Sequence, residues 1–63
     1  MELEQVKKHL NKMVVYNGIK GTYKLTACIL RKSGREYNYS AELVDTKSNS
    51  VLYCRIKDIE VEV

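Results

Sequence analysis

The sequence predicts a mainly β domain, with one N-terminal helix followed by five antiparallel strands wrapped into a small barrel. Three observations predict it. Residues 22–44 hold two alternating apolar–polar runs around a glycine-containing break, the pattern of a β-hairpin. Leu3, Val6, Leu10 and Met13 recur at spacings of three, four and three, which places them on one stripe of a helix. The remaining apolar stretches are short and separated by turn residues, of which Asn17-Gly18 is the strongest signal.

The helix is expected over about 2–12. Glu2 and Glu4 sit near its positive end, and Lys7, Lys8 and Lys12 toward its negative end, as the macrodipole favours. Glu4 and Lys8 form an i,i+4 pair in the better orientation. A helix this short is not stable alone in water, so its stripe must dock on something: the open end or a face of the sheet is expected, and a partner protein is the alternative. A first strand follows over about 13–16, Met13-Val14-Val15-Tyr16.

The hairpin strands are expected over about 22–31 and 36–44. Side chains alternate with period two, so Tyr23, Leu25, Ala27 and Ile29 share one face, and Tyr37, Tyr39, Ala41 and Leu43 share another. The loop must bring the two sets together. A two-residue loop at Ser33-Gly34 sets Leu25 opposite Glu42, which sends the apolar set to the wrong face. A three-residue loop, Lys32-Ser33-Gly34 with Gly34 left-handed, pairs Ile29 with Tyr37, Ala27 with Tyr39, Leu25 with Ala41 and Tyr23 with Leu43. The outer face then carries Thr26 opposite Ser40 and Lys24 opposite Glu42, with Arg31 and Arg35 as like charges beside the loop. The first of these strands is about ten residues long, against a usual five or six, and is apolar on both faces at Ala27-Cys28-Ile29-Leu30. A strand of that kind bends and serves both sides of a small barrel.

Residues 45–49 form a polar loop. The fourth strand is expected over about 50–56, with Leu52, Cys54 and Ile56 inward because that phase is the more apolar. Lys57-Asp58 reads as one tight turn, and the last strand covers about 59–63, Ile59, Val61 and Val63 alternating with Glu60 and Glu62. One helix and five short strands with a tight turn before the last point to an SH3-like barrel, in which the first and last strands pair. The patterns Val14-Val15-Tyr16-Asn17-Gly18, Tyr23-Lys24-Leu25-Thr26, Ala41-Glu42-Leu43-Val44-Asp45 and Asn49-Ser50-Val51 resemble small uncharacterised SH3-like proteins encoded in bacteriophages and mobile elements. The resemblance implies the barrel and carries no active-site residues.

Sixty-three residues make one domain. A chain of this size buries only about 60% of its unfolded surface, so stability is expected at roughly 3–9 kcal/mol. It leaves no room for a core and a deep catalytic cleft. No Gly-rich phosphate loop, nucleophile elbow or metal motif occurs. Carboxylates sit at Glu36, Glu42, Asp45, Asp58, Glu60 and Glu62, of which the last three read as a solvated strand edge that discourages edge-to-edge aggregation. His9, the single histidine, lies on the flank of the helix stripe, where it reads as a rim residue rather than a ligand. Cys28 and Cys54 lack metal spacing, are expected on opposite faces, and read as reduced thiols. No enzyme activity and no cofactor is expected. The absence of an N-terminal apolar run gives the expectation of a cytoplasmic protein without signal peptide or membrane span.

Charge gives the remaining functional signal. The chain carries +3 net, with a pI of about 9.0, and from residue 20 to 35 every charged residue is basic: Lys20, Lys24, Arg31, Lys32 and Arg35. All five aromatics are tyrosines. With Tyr23, Tyr37 and Tyr39 expected in the core, Tyr53 remains as an exposed stacking platform beside Arg55. Lys20, Arg31, Lys32, Arg35, Tyr53 and Arg55 are therefore the candidate residues for binding DNA or RNA. Proline-rich peptide recognition needs an aromatic-lined groove, and the chain has no Trp and no acidic-aromatic motif of the eukaryotic SH3 type. The leading expectation is a non-enzymatic module that binds another protein, by edge-strand pairing or through an outer face of Lys24, Thr26, Cys28, Asn38, Ser40 and Glu42. Nucleic-acid binding is the alternative.

Overall fold

The computed structural model describes residues 1–62. Helix α1 (Leu3–Lys8) is followed by β1 (Met13–Tyr16), β2 (Ile19–Ser33), β3 (Glu36–Asp45), β4 (Ser50–Arg55), a 3-10 turn (Ile56–Asp58) and β5 (Ile59–Val61). Val63, expected in the last strand, lies outside the described residues.

Gln5 starts the helix by accepting the Glu2 N–H on its side-chain oxygen at 3.0 Å. The helix stops earlier than expected because the chain is drawn into the sheet. Asn11 takes a left-handed φ of 67°. Its N–H then donates to the Leu25 carbonyl at 2.6 Å, and the Leu25 N–H donates back to Lys12 at 2.9 Å. Val6 is the buried residue of α1, while Leu10, beyond its end, is 40% exposed.

The strands form one antiparallel sheet in the order β4-β3-β2-β1-β5. The first and last strands pair, Val14 opposite Val61 and Tyr16 opposite Ile59. β4 and β5 stand at the two ends of that order, so the sheet is not closed by backbone pairing. Asn17 and Gly18 both have positive φ, 55° and 76°, the type I′ arrangement that matches strand twist. The ammonium of Met1 donates to the carbonyls of Ile56 and Ile59 at 2.9 and 2.8 Å, tying the start of α1 to the 3-10 turn. Thr46 closes the other end, its N–H and Oγ1 both donating to the Thr22 carbonyl at 2.9 Å.

The central hairpin corrects the expected register. Its loop has two residues, Gly34 and Arg35, with Ser33 opposite Glu36. Gly34 has φ 61° and Arg35 does not share the positive φ, the pattern of a type II′ turn. From the turn inward the pairs are Lys32–Tyr37, Leu30–Tyr39, Cys28–Ala41 and Ala27–Glu42. A bulge at Thr26 then shifts the register, and Leu25 meets Leu43 and Lys24 meets Val44. The expected pairs Ile29–Tyr37, Ala27–Tyr39, Leu25–Ala41, Tyr23–Leu43, Thr26–Ser40 and Lys24–Glu42 are all replaced. The bulge is held in place by Thr26 Oγ1, which donates to the Glu42 carbonyl at 3.1 Å and to its carboxylate at 2.8 Å. Its consequence is a change of face. Leu25 points into the core as expected, but beyond the bulge Cys28 and Leu30 take the inner face and Ala27 and Ile29 the outer one.

Val6, Val14, Leu25, Ala41, Leu43 and Ile59 are fully buried and form one cluster. Leu52, Cys54 and Ile56 pack against it, the inward phase expected of the fourth strand, while Val51 and Tyr53 face solvent. Tyr16 and Tyr23 meet edge to face at 5.3 Å on the flank of the cluster.

Candidate interaction surface

The sheet outruns its core. On the inner face the last row over the core is Cys28–Ala41–Cys54, and the next two rows of the hairpin have no layer packed on them. Neighbouring strands run out at the same place. β4 pairs with β3 only from Ser40 onward, and on the other side pairing to β2 reaches only Leu25. The distal hairpin is therefore a two-stranded arm with both edges free, and residues 30–39 are all exposed. It lies along a molecule whose extents are 37 × 23 × 19 Å.

The arm's inner face carries Leu30 opposite Tyr39 and Lys32 opposite Tyr37. Leu30, Tyr37 and Tyr39 are 54%, 60% and 37% exposed, so the core's own apolar strip continues into solvent. Tyr37 and Tyr39, expected in the core, are thus corrected to surface residues, because the core stops at Ala41. Lys32 Nζ sits 5.7 Å from the Tyr37 ring centroid, a cation–π contact of about 0.5–1 kcal/mol at such an exposed place. The outer face of β2, β3 and β4 presents Arg31 beside Asn38, then Ile29–Ser40–Arg55, then Ala27–Glu42–Tyr53.

This arrangement sorts the six candidate nucleic-acid residues. Arg31, Arg55 and Tyr53 share the outer face, with Arg31 and Arg55 roughly 12 Å apart along two strand spacings and one residue pair. Lys32 lies on the opposite face over Tyr37, and Arg35 occupies the turn. Lys20 follows the Asn17-Gly18 turn at the far end of β2, roughly 35 Å of extended chain from Arg31, and does not belong to the same patch. Arg55 Nε lies 3.3 Å from Asp58 Oδ2, an exposed pair that softens its charge. Of the expected outer set, Lys24, Asn38, Ser40 and Glu42 hold their face. Thr26 is taken up by the bulge, and Cys28 turns inward.

Cys28 and Cys54 are free thiols. They share the inner face, contrary to expectation, but Ala41 stands between them, so their Cα atoms are about 10 Å apart. A disulfide needs less than about 7 Å. Burial pushes both thiols above the ordinary cysteine value; nearby Lys7 opposes the shift at Cys28, and Asp58 adds to it at Cys54. His9 Nδ1 donates to the Gln5 carbonyl at 2.6 Å, which accounts for it as a rim residue of the helix end. Among the described residues no group of His, Cys, Asp or Glu is placed to hold a metal, and no pocket is formed. No helix among them is long and apolar enough to cross a membrane.

The exposed Leu30, Tyr37 and Tyr39 were missed from sequence. Two signals pointed to them. Strands of this length cannot be covered along their whole run by neighbours of four and six residues. A lysine at position 32 also falls in phase with Cys28 and Leu30, which marks where the inner face meets water. Comparison with known proteins adds no relative: no protein-family model, no curated protein and no solved structure matches this chain.

Proposed function

We propose that the chain is a non-enzymatic interaction module that binds another protein through its projecting β2–β3 arm. The observation that carries the reading is an exposed apolar strip, Leu30, Tyr37 and Tyr39, on a ribbon with unpaired backbone on both sides. Exposed apolar strips and free strand edges are both features through which small β domains recruit partners. The strand order, the pairing of first with last strand and the 3-10 turn before β5 support reading the whole as an SH3-like barrel. A role as a cytoplasmic accessory factor of a phage or mobile element fits that reading. A photocrosslinking side chain at Tyr37 tests it: a protein partner is expected to be trapped there and not from the same label at Tyr53, and to be lost in Leu30→Ser. Equal trapping at both positions, or none at either, removes the reading.

A second reading rests on a separate observation, that Arg31, Arg55 and Tyr53 share the outer face. Two arginines beside an aromatic platform suit a single-stranded nucleic acid. If that face binds one, replacing Arg31 and Arg55 by Gln flattens the dependence of log affinity on log salt by about 1.4, two phosphate contacts at about 0.7 each. An unchanged slope, or no salt-dependent affinity at low ionic strength, disposes of it.

A further inference from the structure

We propose that the free edge of β2 over residues 27–33 is a docking strand for an acidic, extended segment of a partner protein. The inference rests on the interaction-module reading and narrows it to one edge and one partner chemistry.

The backbone comes first. In a hairpin closed by two residues, the flanking pair Ser33–Glu36 exchanges both backbone bonds, and bonded pairs recur at every second position. Arg31–Asn38 and Ile29–Ser40 are therefore bonded across the hairpin, which turns the N–H and C=O groups of Cys28, Leu30 and Lys32 away from β3. No strand lies on that side beyond Leu25. The groups form a ready ladder for an added strand.

Charge selects the occupant. Arg31 and Lys32 point to opposite faces of the edge, so a carboxylate on either face of an added strand meets a cation. Arg35 stands at the turn, and Lys7 lies near enough to Cys28 to act on its thiol. A second copy paired antiparallel along this edge would bring another Arg31 and Lys32 onto the same short ladder, and like charges on neighbouring positions of a strand pair destabilise it. The same cations that keep copies apart therefore admit an acidic segment. The β3 edge is the poorer choice, since it carries Glu36 and no cation. Leu30, backed by Tyr39 across the hairpin, gives the incoming strand an apolar seat.

The test uses the isotope-labelled full chain and a synthetic peptide of about ten residues alternating Glu with Val and Tyr. Amide exchange at Cys28, Leu30 and Lys32 is expected to slow on saturation, while Ile29, Arg31 and Ser33, already bonded to β3, change least. Arg31→Glu/Lys32→Glu is expected to weaken binding by about tenfold or more, and a Lys-for-Glu peptide to prefer that variant over the original. If the double reversal does not fold, Arg31→Gln/Lys32→Gln carries the same comparison. Absence of slowing at those three amides, or equal slowing by the Lys peptide, overturns the proposal. So does a single-stranded oligonucleotide that displaces the peptide without protecting them. A partner that crosslinks at Tyr37 but leaves the Cys28, Leu30 and Lys32 amides unprotected sinks this inference and leaves the interaction module standing, whereas no partner at any position sinks the module itself.

Discussion

Cys28 and Cys54 flank Ala41 on one face of three adjacent strands, and that placement governs how they react. Both sit half-buried at the margin of the core, where water is too scarce to solvate a thiolate well. The nucleophile is the thiolate, so alkylation is expected to be slower at both than in the unfolded chain at about pH 8.5. The two thiols differ in their charged neighbour. Asp58 holds Cys54 up further, while Lys7 pulls Cys28 back down, so Cys28 is expected to react first. Lys7→Gln removes that pull from an exposed helix position and should slow Cys28 alone, read by mass spectrometry of the alkylated peptides. The sign for stability follows from the same shift. Folded thiols with raised values hold their protons when unfolded ones have released them, so these groups leave stability intact below the ordinary value of about 9.0 and erode it as pH rises through the folded values. Urea midpoints that climb between about pH 9 and 10 would contradict this.

At the scale of the element, the β2–β3 arm behaves as an attachment to the core rather than part of it. Gly34 takes φ 61° at the first turn position and has open space where a Cβ would stand, so Ala there meets backbone strain and no clash. Gly34→Ala is expected to cost about 1–2 kcal/mol, and to spend it locally. Amide exchange over residues 30–39 should quicken while the thermal midpoint of the body stays nearly fixed, because the buried cluster ends at Ala41. A global loss of stability would mean that the arm packs on something. The arm also shows which parts of the fold the sequence makes legible. Asn17-Gly18 was legible because a type I′ turn needs two residues that tolerate positive φ, and this pair does so wherever it occurs. The phase of β4 was legible to the extent that Leu52, Cys54 and Ile56 are together more apolar than Val51, Tyr53 and Arg55. The hairpin register was not, since Ala27-Cys28-Ile29-Leu30 is apolar on both faces, and a bulge there leaves no trace in the alternation. Thr26 holds the clue only in hindsight, as a hydroxyl facing Glu42 once the strands are paired. Of the surface, the outward phase of Tyr53 and Arg55 was readable, but the extent of the arm depends on where neighbouring strands end, which is a property of tertiary packing.

For the whole molecule the decisive quantity is how few residues make the core. Val6 comes from α1, Val14 from β1, Leu25 from β2, Ala41 and Leu43 from β3 and Ile59 from β5. Nearly every element contributes one anchor, so no part of the body has enough buried surface to persist when another leaves, and unfolding of the body should be a single transition. A chain of 63 residues has roughly 3–9 kcal/mol in total, and emptying the Leu25 site costs about 2–5 kcal/mol. Leu25→Ala is therefore expected to leave a large unfolded fraction at room temperature, with helix and strand signals falling together in far-UV circular dichroism. Leu30→Ser, five residues further along the same strand and equally apolar in the parent, is expected to leave the urea midpoint within about 0.5 kcal/mol of its original position, because nothing packs over it. The contrast follows from the bulge at Thr26 and the end of the core at Ala41, which together hold one leucine fully inside and leave the other in water. Equal losses from the two substitutions would show that Leu30 is covered in solution, and would place the boundary of the core beyond the row at Ala41.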